Sequence, residues 1–93
     1  MSDGLVTDRF EIVNNLGLHA RAATKLVQLA TRYGCDITIS RDGQQANAKS
    51  VMGVLLLCGA KGTVVEVSAR GAAAEEAVRS IGELIAGKFG EDE

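Results

Sequence analysis

Apolar and polar positions alternate along residues 5–13 (LVTDRFEIV), with Val6, Phe10 and Ile12 on one parity and a disturbance at residues 7–9. That pattern predicts a first strand. Asn14, Asn15 and Gly17 interrupt it, each tolerant of turn or left-handed backbone. From His19 or Ala20 the period changes: Ala23, Leu26, Val27 and Ala30 recur at i, i+3, i+4 and i+7, which predicts a helix with one apolar stripe, closed by Gly34. Residues 36–41 (DITISR) alternate again with Ile37 and Ile39 inward, and Asp42-Gly43 predicts a tight hairpin returning through a strand over residues 44–48. Ser50 stands where it can cap a short helix over residues 51–57, ended by Gly59. A strand over residues 63–69 carries Val65 and Val67 on one face. The last helix, from residue 73 to about 88, has Ala74, Ala77, Val78, Ile81 and Ile85 at helical spacing, with Glu75 and Glu76 complementing the dipole of its first turn. Glu75 and Arg79 are spaced as an i, i+4 pair worth about 0.3 kcal/mol. Gly82 and Gly87 weaken the end of that helix.

The order β-α-β-β-α-β-α predicts antiparallel strands with the helices gathered on one side: a two-layer α+β sandwich with one sheet face left to water. The 93 residues suffice for one domain and one core, and no repeat or linker composition divides them. Residues 91–93 (Glu91, Asp92, Glu93) read as a solvated acidic tail.

Charge and composition remove several function classes. The net charge is −2 and the aromatic residues are Phe10, Tyr33 and Phe89, so there is neither the basic field nor the stacking platform of a nucleic-acid binder. The first ten residues carry no basic segment followed by an apolar run. The longest apolar stretch, residues 54–58, is far shorter than a membrane span, so a cytosolic protein without a membrane partner is expected. Cys35 and Cys58 lie 23 positions apart with no CxxC and no second histidine, which leaves a zinc site short of ligands. Both are expected to be buried thiols in a reducing compartment. No metal or cofactor is implied.

The candidate chemistry lies at His19, the one histidine of the chain, set at a predicted helix entrance. The first amides of a helix lack internal partners and their dipole favours an anion, so a phosphate suits this place. The same field disfavours imidazolium and leaves a ring lone pair for nucleophilic attack. Arg21, in the first turn, can offer its planar fork to phosphate oxygens, and Gly17 permits close backbone approach just before. The residues alone also fit a polar surface histidine with no reactivity. A hydrolytic triad is disfavoured, since no serine or cysteine with an acid partner is identified by spacing.

GLHARAAT (residues 17–24) resembles the active-site signature of the HPr family, the histidine-containing phosphocarriers of the phosphoenolpyruvate-dependent phosphotransferase system. KSVMGVLLL (residues 49–57) resembles the regulatory-serine segment of the same family. The resemblance covers nearly the whole chain. It implies an open-faced sandwich of four antiparallel strands with three helices on one face. It also implies a phosphocarrier with no enzymatic turnover of its own, charged on His19 Nδ1 by enzyme I and discharged to an enzyme IIA domain. Arg21 takes the phosphate-binding role, and Ala20 and Arg21 contribute early-helix amides. One position departs from the family pattern: Ala22 stands where proline is usual in the first turn, which bears on how rigidly the phosphate donors are held.

Ser50 carries two readings. As a helix cap it needs no further role, and its loss to alanine is expected to cost about 1 kcal/mol. The resemblance adds an HPr kinase/phosphorylase acting on this serine, so that about −2 of charge would disfavour docking. A regulatory binding module switched at Ser50 is therefore the alternative function, and a plain α+β interaction domain the bland one. Val51, Met52 and Leu55 form the expected partner patch, while Val54 and Leu57 face the core. A monomer is expected. The segments GKFGEDE and AKG look somewhat like the nitrogen-branch paralogue and the serine segment more like the carbon branch, so the branch stays open.

Overall fold

The computed structural model describes residues 4–93. The alternating segments become β1 (Leu5–Glu11), β2 (Asp36–Arg41), β3 (Gln44–Asn47) and β4 (Val64–Arg70). The 3.6-period segments become α1 (Ala20–Ala30), α2 (Val51–Leu56) and α3 (Ala74–Ala86), and a short 3₁₀ turn follows at Lys88–Gly90. The strands form one antiparallel sheet in the order β1-β4-β2-β3, so the two central strands are those with the cleanest apolar alternation. Ile37 and Ile39 of β2 and Val65, Val67 and Ala69 of β4 turn to the helices and are buried. Thr38, Ser40, Glu66 and Ser68 occupy the other face. This is the four-stranded sheet with three helices on one face that the element order predicts, and its buried side chains join in one core.

The β2-β3 hairpin turns on Asp42 and Gly43, with φ of 50° and 84°. Two successive left-handed residues match the right-handed strand twist, which is why Asp-Gly marks the turn. The parity of β1 runs unbroken through Asp8. This carboxylate sits on the helix side of an edge strand and remains exposed, and it accounts for the disturbance in the pattern. Gly82 of α3 is buried against the ring of Phe10, whose Cε1 would lie 2.3 Å from an added Cβ. The glycine that weakens the helix thus makes room for an aromatic ring of β1.

Four local expectations are corrected. The end of α1 uses Thr31 in right-handed backbone, not Gly34. Successive amides of Thr31, Arg32 and Tyr33 donate to the carbonyls of Val27, Leu29 and Ala30, so the last turn unwinds with its acceptors satisfied and needs no left-handed glycine. At the end of α2 the left-handed residue is Cys58, at φ 53°, and Gly59 is required by contact instead: Leu18 Cδ1 would lie 2.7 Å from its Cβ. Cys58 in this exit turn is exposed, and only Cys35 of the two thiols is buried. Glu75 and Arg79 form no ion pair among the described residues; both are exposed, and water solvates each charge about as well as the other would. Among the described residues no helix is long and apolar enough to cross a membrane.

Candidate functional site

His19 is the N-cap of α1. Its backbone is extended (φ −78°, ψ 177°), and the ring accepts at Nδ1 from the amide of Arg21 at 3.3 Å. A ring nitrogen here takes the place of the Ser, Thr or Asp oxygen that usually caps a helix. The first intrahelical bond runs from the amide of Ala23 to the carbonyl of His19 (2.8 Å). The amides of Ala20, Arg21 and Ala22 therefore stand ahead of the helix ladder, at the positive end of its dipole.

The loop entering this cap is pinned against the exit of α2. Gly17 has φ +66°, and a Cβ there would lie 2.4 Å from the carbonyl oxygen of Gly59. The next amide, of Leu18, donates to that same carbonyl at 2.8 Å, and the Leu18 side chain is buried. The close approach made possible by Gly17 is thus to a neighbouring backbone, and it fixes the point from which His19 projects. Ala22 and Ala23 bury the opposite side of the first turn.

The acidic tail is not simply solvated. Phe89 is fully buried and anchors the chain after α3, its carbonyl accepting from Lys25 Nζ at 2.6 Å. Glu91 then emerges beneath the histidine. His19 Nε2 and Glu91 Oε2 share a hydrogen bond at 2.5 Å, and Asn14 Nδ2 donates to Glu91 Oε1 at 2.9 Å. These bonds, with the charge of Lys25 nearby, hold the Glu91 carboxyl below its ordinary value. Asn14 is itself buried and also donates to the Gly17 carbonyl at 2.9 Å, so one amide group braces loop and tail together. A second strap joins Asn15 to Glu93, amide to carbonyl at 2.5 Å and Asn15 Nδ2 to the side-chain carboxylate at 3.2 Å. Asp92 and Glu93 are exposed, as the sequence suggests, while Glu91 is not.

Next to Glu91 lies an open hollow lined by Asn15, Leu16, Arg21, Lys25 and residues 90–93. The exposed Arg21 guanidinium borders it. The His19 ring, the early-helix amides and Arg21 thus lie at the same helix start. Glu91, Asn14 and Lys25 join them without having been read from sequence. Asn14 looked like a turn former, and the one signal for Glu91 was an aromatic residue two positions before an acidic end.

Ser50 caps α2, with φ −118° and ψ 114°, its Oγ accepting from the amide of Gly53 at 3.1 Å. The helix lies against α1. Of the expected patch, Met52 is exposed, whereas Val51 and Leu55 are half-buried against the core. Leu56 is as exposed as Met52 (67% and 66%) and lies one turn further along the same face, so Leu56 replaces Val51 and Leu55 in the open patch. Leu16, in the loop before His19, is the most exposed large apolar side chain among the described residues, at 71%. Val54 and Leu57 are buried as expected. Among the described residues no three metal-ligating side chains cluster.

Comparison with known proteins matches residues 6–87 to the family described as the PTS HPr component phosphorylation site. The chain is 42% identical over 89 residues to the phosphocarrier protein HPr of Neisseria meningitidis, an alignment spanning 96% of this chain and 100% of that protein. A crystal structure of HPr-C-His from Thermoanaerobacter tengcongensis superposes with a TM-score of 0.91 at 41% identity, covering 95% of this chain and 99% of the other. An HPr dimer from the same organism gives a TM-score of 0.75 at 44% identity, over 88% of this chain and 94% of that one.

Proposed function

The chain belongs to the HPr family of the phosphotransferase system, and from that premise we propose that it is a single-domain cytoplasmic phosphocarrier, not an enzyme. It accepts a phosphoryl group from enzyme I on Nδ1 of His19 and passes it to an enzyme IIA domain. The observation that carries this reading is the ring of His19 at the N-cap, with Nδ1 turned to the Arg21 amide and Nε2 turned to a carboxylate. A nitrogen that accepts an amide hydrogen bond holds a lone pair, and that lone pair is the nucleophile. Attack on phosphorus forms the N–P bond as the bond to the donor breaks. The new phosphoryl oxygens then lie where the amides of Ala20 and Arg21 and the Arg21 guanidinium can receive them.

The exposed pair Met52 and Leu56, with Leu16 on the histidine loop, supplies apolar surface for docking enzyme I and enzyme IIA. Charging and discharging then use one face of the protein in turn, by a monomer. Incubation with enzyme I and radiolabelled phosphoenolpyruvate is expected to give one acid-labile phosphate per chain, absent in His19→Ala. Label that persists in His19→Ala overturns the reading.

Ser50 supports a second, regulatory reading. Its hydroxyl caps the helix that bears Met52 and Leu56, so a phosphate added by an HPr kinase/phosphorylase puts about −2 of charge beside the apolar docking face. Weaker charging by enzyme I follows. Acid-stable phosphate on Ser50 with an undiminished rate of His19 charging contradicts it.

A further inference from the structure

We propose that Glu91 is a positioning residue for the phosphoryl-accepting histidine: its carboxylate holds the proton on Nε2 of His19 and so keeps the lone pair on Nδ1. The proposal rests on the carrier reading above for its use, but on its own geometry for its existence. Both carboxylate oxygens are engaged, Oε2 by the imidazole at 2.5 Å and Oε1 by Asn14 at 2.9 Å. The contact is sheltered, with the side chains of His19 and Glu91 exposed to 27% and 15%. A carboxylate accepts only, so the shared proton belongs to the ring. One nitrogen is thereby assigned as donor and the other, facing the Arg21 amide, as acceptor.

Asn14 strengthens the inference. Its Oδ1 is buried and has no hydrogen-bond partner among the described residues, a costly arrangement, while both hydrogens of its Nδ2 are spent on the Gly17 carbonyl and on Glu91. The buried amide is oriented for its donors. It ties the carboxylate to the same loop that carries the histidine, so the tail moves with the ring. The family match ends at residue 87, so this clamp comes from a segment beyond it.

The proton balance follows. The Nδ1 lone pair forms the N–P bond, and the pair of the breaking bond leaves with the donor. The product is a phosphoimidazolium whose Nε2–H stays on the ring, its positive charge facing Glu91. On discharge the N–P pair returns to Nδ1 and the leaving group is neutral imidazole. No proton enters or leaves in either direction. Without the clamp, the tautomer protonated on Nδ1 is unreactive at that atom.

The test compares full-length wild type, Glu91→Gln and Glu91→Ala, by nitrogen-15 shifts of the His19 ring at neutral pH and by the rate of charging from enzyme I and phosphoenolpyruvate. Wild type is expected to show Nε2 protonated and Nδ1 bare. Glu91→Ala moves both shifts toward a tautomer mixture and slows charging by about tenfold, the order of loss when the partner that orients a metal-ligating histidine is removed. Glu91→Gln, whose carbonyl accepts the same proton, keeps the wild-type tautomer and a rate near wild type. Unchanged ring shifts or an unchanged rate in Glu91→Ala, or a Glu91→Gln as slow as Glu91→Ala, overturns the proposal. If wild type itself takes no label on His19, the carrier reading fails, and the ring shifts alone then decide the role of Glu91.

Discussion

At the residue scale the structure turns on two positions that flank His19. Glu91 faces His19, Asn14 and Lys25, with Arg21, Asp92 and Glu93 bordering the same hollow. Its carboxyl is lowered from 4.5 by the bonds to His19 and Asn14. A group lowered in the folded state contributes stability that is complete above its unfolded value and is lost as pH falls through the folded one. The stability difference between wild type and Glu91→Gln, read from denaturation midpoints, is therefore expected to shrink as pH falls below 4.5. A difference that grows as pH falls below 4.5 contradicts the sign. Gly17→Ala forces left-handed backbone on a residue with a Cβ and drives it into the Gly59 carbonyl. A loss of about 1–3 kcal/mol is expected, with altered His19 ring shifts. An unperturbed midpoint would show that the loop is not pinned there.

At the element scale the first turn of α1 leaves the Ala22 amide ahead of the helix ladder. Ala22 precedes the first bond of the ladder, from the Ala23 amide to His19, so a proline at this third helical position removes no helical hydrogen bond. Ala22→Pro is expected to keep the helix by circular dichroism and to change stability by less than about 1 kcal/mol. A drop of several kcal/mol would mean that the Ala22 amide has a partner the fold needs. This helix was readable because its stripe of Ala23, Leu26, Val27 and Ala30 faces one core. The strands Asp36–Arg41 and Val64–Arg70 were readable because they are central, with one face dry and one wet. Helix ends were less legible. Gly34 and Gly59 look like caps, yet unwinding satisfies one end, and at the other a cysteine accepts left-handed backbone so that glycine can serve a contact. Which apolar residues of α2 face out was half legible: Met52 was assigned correctly, but in a helix of six residues no polar position marks the wet side, and Leu56 was missed.

At the scale of the whole molecule the site joins the two distant ends of the described chain segment that begins at β1 and finishes with the tail. Asn14 and Glu91 are 77 positions apart, and no local pattern links them. Composition made the tail look solvated, because three acidic residues in a row usually are. Burial of Phe89 reverses that expectation for Glu91 by fixing where the chain emerges. That His19 and Arg21 share one helix start was legible because both positions are local to it, and the carboxylate behind the ring was not because it arrives through the fold.

Phosphorus-31 and nitrogen-15 spectroscopy of the chain charged by enzyme I and phosphoenolpyruvate tests the central claim most directly. One phosphohistidine is expected, with phosphorus coupled to Nδ1 of His19 and the proton still on Nε2. Phosphorus on Nε2, or on any residue other than His19, would contradict it.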